Sequence, residues 1–108
     1  MPRQVLLTAD AERDIEDIYD YIAAADSPAN ARYVLTKLSE LVDSLAAFPE
    51  RGACPHELLA LGNRDYRQVL FKPYRVIYRV TSDHVTIDLI ADGRRDMPAL
   101  LARRLFNR

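Results

Sequence analysis

The chain contains 108 residues, of which 29% are charged and 49% hydrophobic, and its formal net charge at pH 7 is −1. This length suits one domain over residues 1–108, and the composition is that of an ordinary globular protein. The sequence has no apolar run near the roughly 20 residues of a membrane span and no secretion signal. Its single cysteine excludes an internal disulfide. Together these features predict a cytoplasmic protein.

The charges are distributed unevenly along the chain. Residues 1–54 contain five Lys or Arg against ten Asp or Glu, whereas residues 55–108 contain ten against six. This asymmetry fits either two solvated surfaces of different composition or a basic surface for an acidic partner, opposite an acidic helical side. A sequence pI near 6.1 argues against a protein that binds a long run of phosphates.

The first half of the chain predicts a strand followed by two helices. The apolar run Val5-Leu6-Leu7 is typical of a strand. Thr8 can cap a first helix with an acidic first turn, and Ser27-Pro28 can begin a second helix that ends at Phe48-Pro49. Each helix carries an apolar stripe at three- and four-residue spacing, so we expect the two to form an antiparallel hairpin.

The second half predicts an irregular connection over residues 50–65 and then three strands. The strands cover residues 66–71, 74–81 and 84–91 and are joined at Lys72-Pro73 and Ser82-Asp83. If both joins are two-residue loops, the sheet offers one apolar face for the helical hairpin to cover. The expected cross-strand pairs are Phe71–Tyr74, Val69–Val76, Val80–Val85, Tyr78–Ile87 and Val76–Leu89.

The opposite sheet face is predicted to mix aliphatic and charged side chains. Such a face suits either surface salt bridges, for instance Arg79 with Asp88, or an arginine-rich recognition surface. A last short helix beginning near Asp96-Met97-Pro98 has its own apolar stripe and is expected to cover part of this face. The residues assigned to the face are Leu70, Arg75, Ile77, Arg79, Thr86, Asp88 and Ile90.

No combination of residues predicts catalysis, a metal site or a cofactor. Cys54-Pro55-His56 places a thiol beside an imidazole, but one Cys and two distant His cannot supply a four-ligand zinc site without carboxylates. His84 is interpreted as a turn residue. Asp10, Asp14 and Asp17 are interpreted as a solvated helix face. We therefore predict no catalytic residue, no metal and no cofactor.

Four motifs follow one another along the chain. They are Ala11-x-x-Asp14-Ile15-x-x-Ile18-x-x-Tyr21-Ile22, Leu45-x-x-Phe48-Pro49-x-x-Gly52, Tyr74-Arg75-Val76-Ile77-Tyr78-Arg79-Val80, and Gly93-Arg94-Arg95-Asp96 with Leu100-Leu101-x-x-Arg104-Leu105. In this order they resemble the ParE/RelE superfamily of bacterial toxins from type II toxin–antitoxin systems. The resemblance implies an α+β fold of β-α-α-β-β-β order, with a helical hairpin on a mainly antiparallel sheet and a short C-terminal helix.

The resemblance implies a cytoplasmic toxin that a cognate antitoxin holds inactive in a hetero-oligomer, with operator DNA bound only through the antitoxin. RelE-like members cut messenger RNA on the ribosome, whereas ParE-like members inhibit DNA gyrase. This chain is slightly acidic, has no Tyr after Tyr78 and ends like ParE, which favours gyrase. It departs from ParE at Asp92, where relatives often have His. The alternatives are a RelE-like ribonuclease and an inactive toxin-fold partner or co-repressor.

Two groups of side chains are predicted to form contacts with other proteins. The sheet face predicts an antitoxin-binding group, because it combines apolar area with carboxylate-binding arginines. The ParE-like ending predicts a group that contacts gyrase. The antitoxin-binding residues are Leu70, Arg75, Ile77, Arg79 and Ile90, and the target-binding residues are Arg94, Arg95, Leu101 and Arg104.

Overall fold

The computed structural model describes residues 2–106, and its element order confirms the predicted arrangement. The connection over residues 50–65, predicted to be irregular, contains one short helix at His56–Leu59. Residues 97–106 are called the C-terminal segment below. In chain order the elements are β1 (Gln4–Leu7), α1 (Ala9–Ala25), α2 (Pro28–Ser44), α3 (His56–Leu59), β2 (Tyr66–Phe71), β3 (Tyr74–Val80), β4 (His84–Asp92) and α4 (Met97–Leu101), which continues into a π-helical turn over Ala102–Phe106.

Side-chain caps fix where the longer helices begin. The Thr8 hydroxyl accepts a hydrogen bond from the backbone N–H of Ala11, and the Ser27 hydroxyl accepts one from Asn30. The carboxylate of Asp96 does the same for α4. The first-turn N–H groups of a helix have no partner within the helix, so each cap satisfies a donor that would otherwise need water. The predicted helix starts are confirmed.

The sheet has the strand order β1-β4-β3-β2 within the described residues. Strand β1 runs parallel to β4, whereas the β2–β3 and β3–β4 pairs are antiparallel, so the sheet is mixed and mainly antiparallel. The β2–β3 turn contains a cis peptide bond between Lys72 and Pro73. Four of the expected pairs are confirmed, namely Phe71–Tyr74, Val69–Val76, Val80–Val85 and Tyr78–Ile87.

The fifth expected pair is wrong because β4 contains a bulge. Ile77 lies opposite Leu89, and Val76 lies opposite Ile90, while Asp88 is the extra residue without a partner position on β3. A bulge shifts the alternation of side chains by one residue for the rest of the strand. Leu89 and Ile90 therefore lie on the faces opposite to those predicted.

Apolar side chains pack against both faces of the sheet. The cluster between the sheet and helices α1 and α2 includes Val76, Tyr78 and Ile90, together with Leu38 from α2. The cluster on the other face confirms that the C-terminal segment covers part of it. That second cluster consists of Leu58, Tyr66, Ile77, Leu89, Ala91, Met97, Leu100, Leu101 and Leu105.

The buried side chain of Tyr78 fixes the connection after α2. Its hydroxyl donates to the carbonyl oxygen of Pro49 at 2.8 Å and accepts from the N–H of Gly52 at 3.1 Å. A Cβ atom at Gly52 would lie 2.6 Å from the Tyr78 hydroxyl and press against the carbonyl oxygen of Gln68. Only glycine fits this close approach, which explains the glycine that ends the second sequence motif.

Candidate functional site

Arg75 lies on the second sheet face but is enclosed by the chain itself. Its two terminal nitrogens donate to the carboxylate of Glu57 at 2.7 and 2.8 Å, and its Nε donates to Gln68 Oε1 at 2.7 Å. The hydrogen bonds from Arg75 lower the pKa of Glu57 from 4.5 to about 2. Sequence reasoning missed Glu57 because α3, which carries it across the sheet, has only one turn.

Arg79 lies further along β3 and pairs with the carboxylate of the bulge residue. Its Nε and Nη2 donate to Asp88 at 2.8 and 2.9 Å, and this hydrogen bonding raises the pKa of Arg79. The Asp88 side chain is fully buried, whereas that of Arg79 is 39% exposed. The guanidinium also lies 5.8 Å from the ring centroid of Tyr66. For these two residues the structure thus shows the salt bridge, which the sequence offered as one of two alternatives for this face.

Arg104 connects the C-terminal segment to α1. It donates to the two carboxylate oxygens of Asp14 at 2.8 and 3.0 Å and to the backbone oxygen of Asp88 at 3.0 Å. These hydrogen bonds raise the pKa of Arg104. Asp14 also accepts from the backbone N–H of Ile90. The interpretation of Asp14 as part of a solvated helix face is wrong, because the bulge supplies a backbone donor that its carboxylate satisfies.

The arginine pair after β4 lies at a groove of about 960 Å³, here called the aromatic groove. Arg94 and Arg95 both line it and are exposed. Arg94 donates to Asp92 at 2.6 to 3.2 Å, and these bonds lower the pKa of the Asp92 carboxyl. Asp92 thus orients the first arginine of the pair. The other walls come from α1, α2 and the β2–β3 turn, and their aromatic members are Tyr21, Tyr33, Phe71 and Tyr74.

The five residues predicted to bind an antitoxin do not form one open surface. Leu70 is 52% exposed, and Arg75 and Arg79 occupy the same face in ion pairs. Ile77 is fully buried on that face, because α3 and the C-terminal segment cover it. Ile90 is buried on the opposite face, because the bulge in β4 reverses it. The assignment of Ile90 to this face is therefore wrong.

The four residues predicted to bind the target also separate into two pairs. Arg94 and Arg95 share the aromatic groove. Leu101 is buried in the second apolar cluster, and Arg104 is held by Asp14.

Within residues 2–106 no group of three or more His, Cys, Asp or Glu side chains is arranged to hold a metal ion. None of the helices in that range has the length and hydropathy needed to cross a membrane.

Comparison with solved structures identifies the fold. The chain superimposes on the chromosomal ParDE toxin–antitoxin system from P. aeruginosa with a TM-score of 0.69 and 21% identity, over 83% of this chain and 95% of that one. It matches the RelBE2 toxin–antitoxin complex from Mycobacterium tuberculosis with a TM-score of 0.63 and 20% identity, over 85% and 99% of the two chains. The fold is that of the ParE and RelE toxins.

Sequence comparison then identifies the family. Residues 5–97 match the family model described as the ParE toxin of the type II toxin–antitoxin system, parDE. The chain is also 25% identical over 101 residues to Toxin ParE3 of Caulobacter vibrioides, which spans 94% of this chain and 97% of that protein. This chain belongs to the ParE toxin family of type II toxin–antitoxin systems.

Proposed function

We propose that this ParE-family toxin inhibits DNA gyrase by binding to it, and that a cognate antitoxin neutralises it in a hetero-oligomer. The proposal puts the toxin in the bacterial cytoplasm, with operator DNA contacted only through the antitoxin. The observation that carries it is the contrast between two sets of arginines. Arg94 and Arg95 are exposed at the aromatic groove, whereas Arg75 and Arg79 are already bound to carboxylates.

The aromatic groove has the composition of a protein-binding surface. Tyr21 is 66% exposed and Tyr33 is 55% exposed, although both rings are large apolar groups. Tyrosine and arginine are enriched among the residues that dominate binding free energy at protein interfaces. Within residues 2–106 Arg95 has no ion-pair partner, so its guanidinium is free to meet a carboxylate of a partner protein. We assign gyrase contact to Arg94 and Arg95, with Leu101 and Arg104 holding the C-terminal segment behind them.

The antitoxin contact is proposed for the accessible part of the second sheet face. Leu70 lies on β2, one of the two edge strands of the sheet, and Arg79 retains partial exposure. An antitoxin segment that carries aliphatic and acidic side chains can cover Leu70 and meet the exposed part of Arg79. In this arrangement Arg75, Ile77 and Ile90 support the surface from within the fold.

The paired arginines also favour binding over RNA cleavage. Cleavage on this face requires cationic side chains that hold phosphate and a group that transfers a proton. A phosphate bound by Arg75 would have to displace Glu57, which already satisfies the guanidinium with two hydrogen bonds. Asp88 occupies Arg79 in the same way. These contacts support an inhibitor that acts through its exposed residues.

The gyrase proposal is tested with the purified toxin in a supercoiling assay. We expect the toxin to inhibit supercoiling, and the double substitution Arg94→Gln with Arg95→Gln to raise the half-inhibitory concentration about tenfold or more, because interface arginines contribute about 1.4 kcal/mol or more. The double substitution Arg32→Gln with Arg51→Gln is the control, since these two exposed arginines lie outside the groove and the variant loses the same two charges.

A parallel reaction contains translating ribosomes and a defined message. Cleavage of that message alongside unimpaired supercoiling would overturn the gyrase proposal in favour of a ribonuclease. Unimpaired supercoiling together with an intact message would point to an inactive partner or co-repressor.

The antitoxin contact is tested separately. Leu70→Glu should weaken capture of the toxin by its antitoxin. Leu61→Glu, at a leucine that is 72% exposed, should leave it unchanged.

A further inference from the structure

A cavity of about 630 Å³, here called the arginine pocket, is separate from the aromatic groove and shares no lining residue with it. Four arginines from different parts of the chain line it: Arg3 before β1, Arg64 before β2, Arg67 on β2 and Arg79 on β3. The remaining lining residues are Glu50, Asp65, Val80, Thr81 and Ser82. Four guanidinium groups from three stretches of the chain therefore line one cavity, although the net charge of the protein is −1.

Two of these guanidinium groups are held in place without being neutralised. Arg67 Nη1 donates to the backbone oxygens of Glu50 at 3.3 Å and Gly52 at 2.7 Å. Arg3 Nε donates to the backbone oxygen of Thr81 at 3.0 Å. A carbonyl oxygen has no net charge, so the positive charges remain, and the other N–H groups of each guanidinium stay available as donors. Such fixed donors lose little conformational entropy when they bind an anion.

The charge balance inside the pocket stays positive. Arg79 is paired with Asp88, but Arg3, Arg64 and Arg67 have no ion-pair partner among residues 2–106. Two carboxylates line the same cavity, those of Glu50 and Asp65, and both residues are exposed to water. Exposed carboxylates in high dielectric offset a neighbouring charge only weakly. Three guanidinium groups that have no ion-pair partner among residues 2–106 therefore line the cavity.

We propose that the arginine pocket binds a phosphate group. Guanidinium groups recognise both carboxylate and phosphate, but a carboxylate offers only two oxygens, whereas a phosphate presents acceptors in three or four directions. Three guanidinium groups on two chain segments, Arg3 on one and Arg64 and Arg67 on the other, supply more donors than the two oxygens of a carboxylate can accept. One phosphate is also compatible with the low net charge, since a single bound oxyanion needs only a local cationic site. The proposal does not rest on gyrase inhibition or on antitoxin binding, although Arg79 belongs both to this pocket and to the proposed antitoxin surface.

The experiment follows backbone amide NMR signals of the full-length toxin during titration with inorganic phosphate, with sodium chloride adjusted to keep the ionic strength constant. We expect saturable shifts at the amides of Gly52, Thr81 and Ser82, with a dissociation constant on the order of millimolar. A second titration uses a tetradeoxynucleotide that has only internal phosphodiesters. Binding of inorganic phosphate indicates a free phosphate or phosphomonoester as the source, whereas preferential binding of the oligonucleotide indicates a nucleic-acid backbone.

Substitutions distinguish a specific site from general attraction. Arg64→Gln should weaken phosphate binding about tenfold, and it is expected to leave the fold intact because Arg64 is exposed. Arg32→Gln removes the same charge from an exposed position outside the pocket and should leave binding unchanged. The proposal is overturned by non-saturating shifts, by equal effects of the two substitutions, or by a hexaglutamate peptide that binds the pocket when phosphate does not. None of these readouts involves gyrase or an antitoxin.

Discussion

At the scale of single residues, the environment of Arg75 shows how burial changes the role of a charged side chain. The side chain of Arg75 is 10% exposed, and that of Glu57 is 12% exposed. A charge removed from water is stable only when a partner satisfies it, and here Glu57 and Gln68 together accept three of its hydrogen bonds. Arg75 therefore attaches α3 to the sheet, and it is not a free recognition residue.

The first prediction concerns this ion pair. Glu57→Gln should lower the free energy of unfolding at pH 7 by about 2–3 kcal/mol, because the charge of Arg75 then lacks its counterion in a mostly enclosed site. The folded-state pKa of Glu57 is lowered from 4.5 to about 2, so its contribution is complete above about pH 4.5 and is lost as the pH falls towards 2.

Urea unfolding at pH 7 and at pH 3 measures this effect. The difference between wild type and Glu57→Gln should shrink at the lower pH, because at pH 3 the Glu57 carboxyl of the unfolded chain is largely protonated and folding must then release that proton. Glu40→Gln is the control, since its pair with Lys37 is exposed and separated by 3.6 Å. A difference that stayed constant between the two pH values would contradict the assignment.

At the scale of elements, the bulge in β4 determines how the C-terminal segment is attached to the rest of the fold. The extra residue Asp88 directs its side chain to Arg79, and its backbone oxygen accepts from Arg104. The backbone N–H of Ile90 is satisfied by Asp14. A bulge leaves backbone groups outside the strand ladder, and buried groups of this kind need partners. Asp14 and Arg104 supply those partners and attach the segment to α1 and β4 together.

The second prediction follows from this arrangement. Asp14→Asn removes the charge that holds Arg104 and should speed amide hydrogen exchange in residues 97–106, since the segment then opens more often. Exchange in β3 should be unchanged. Asp17→Asn is the matched control, one helical turn further along the same helix at an exposed position. Hydrogen-exchange mass spectrometry measures both variants, and equal protection of residues 97–106 in Asp14→Asn and wild type would show that another contact holds the segment.

At the scale of the whole molecule, one sheet separates two apolar clusters, and each cluster uses a different face of the same strands. Val76 and Tyr78 contribute to the side of the helical hairpin, and Ile77 between them contributes to the side of the C-terminal segment. The middle of strand β3 is thus buried on both faces, which explains the run Val76-Ile77-Tyr78 between its two arginines. Because the clusters share strands, we predict that residues 1–108 unfold as one domain.

The third prediction tests this cooperativity with one substitution in each cluster. Leu38→Ala and Leu101→Ala each replace a leucine that is 1% or 2% exposed and should each cost about 2–5 kcal/mol. Both should shift the same single transition, seen alike by circular dichroism and by tyrosine fluorescence. Leu61→Ala, at 72% exposure, should change the stability by less than about 0.5 kcal/mol. Two separate transitions in Leu101→Ala would indicate that the C-terminal cluster unfolds independently.

The sequence by itself determined the features that depend on neighbouring residues. The caps at Thr8 and Ser27, the helical stripes and the tight turn at Lys72-Pro73 are local, so the element order and four of five cross-strand pairs could be derived from it. The Arg79–Asp88 pair could be anticipated for the same reason, because the β3–β4 hairpin brings its two residues together. The quoted motifs also pointed to the family that comparison then identified.

Only the tertiary structure decided which charged residues are free. A bulge changes one residue of register without a clear sequence signal, and it moved Leu89 and Ile90 to opposite faces. The partners of Arg75 and Arg104 lie 18 and 90 residues away, at Glu57 and Asp14, and no local pattern couples such distant positions. Exposure of an arginine depends on what the whole chain packs against it. The candidate surfaces therefore became visible only once the fold had brought these segments together.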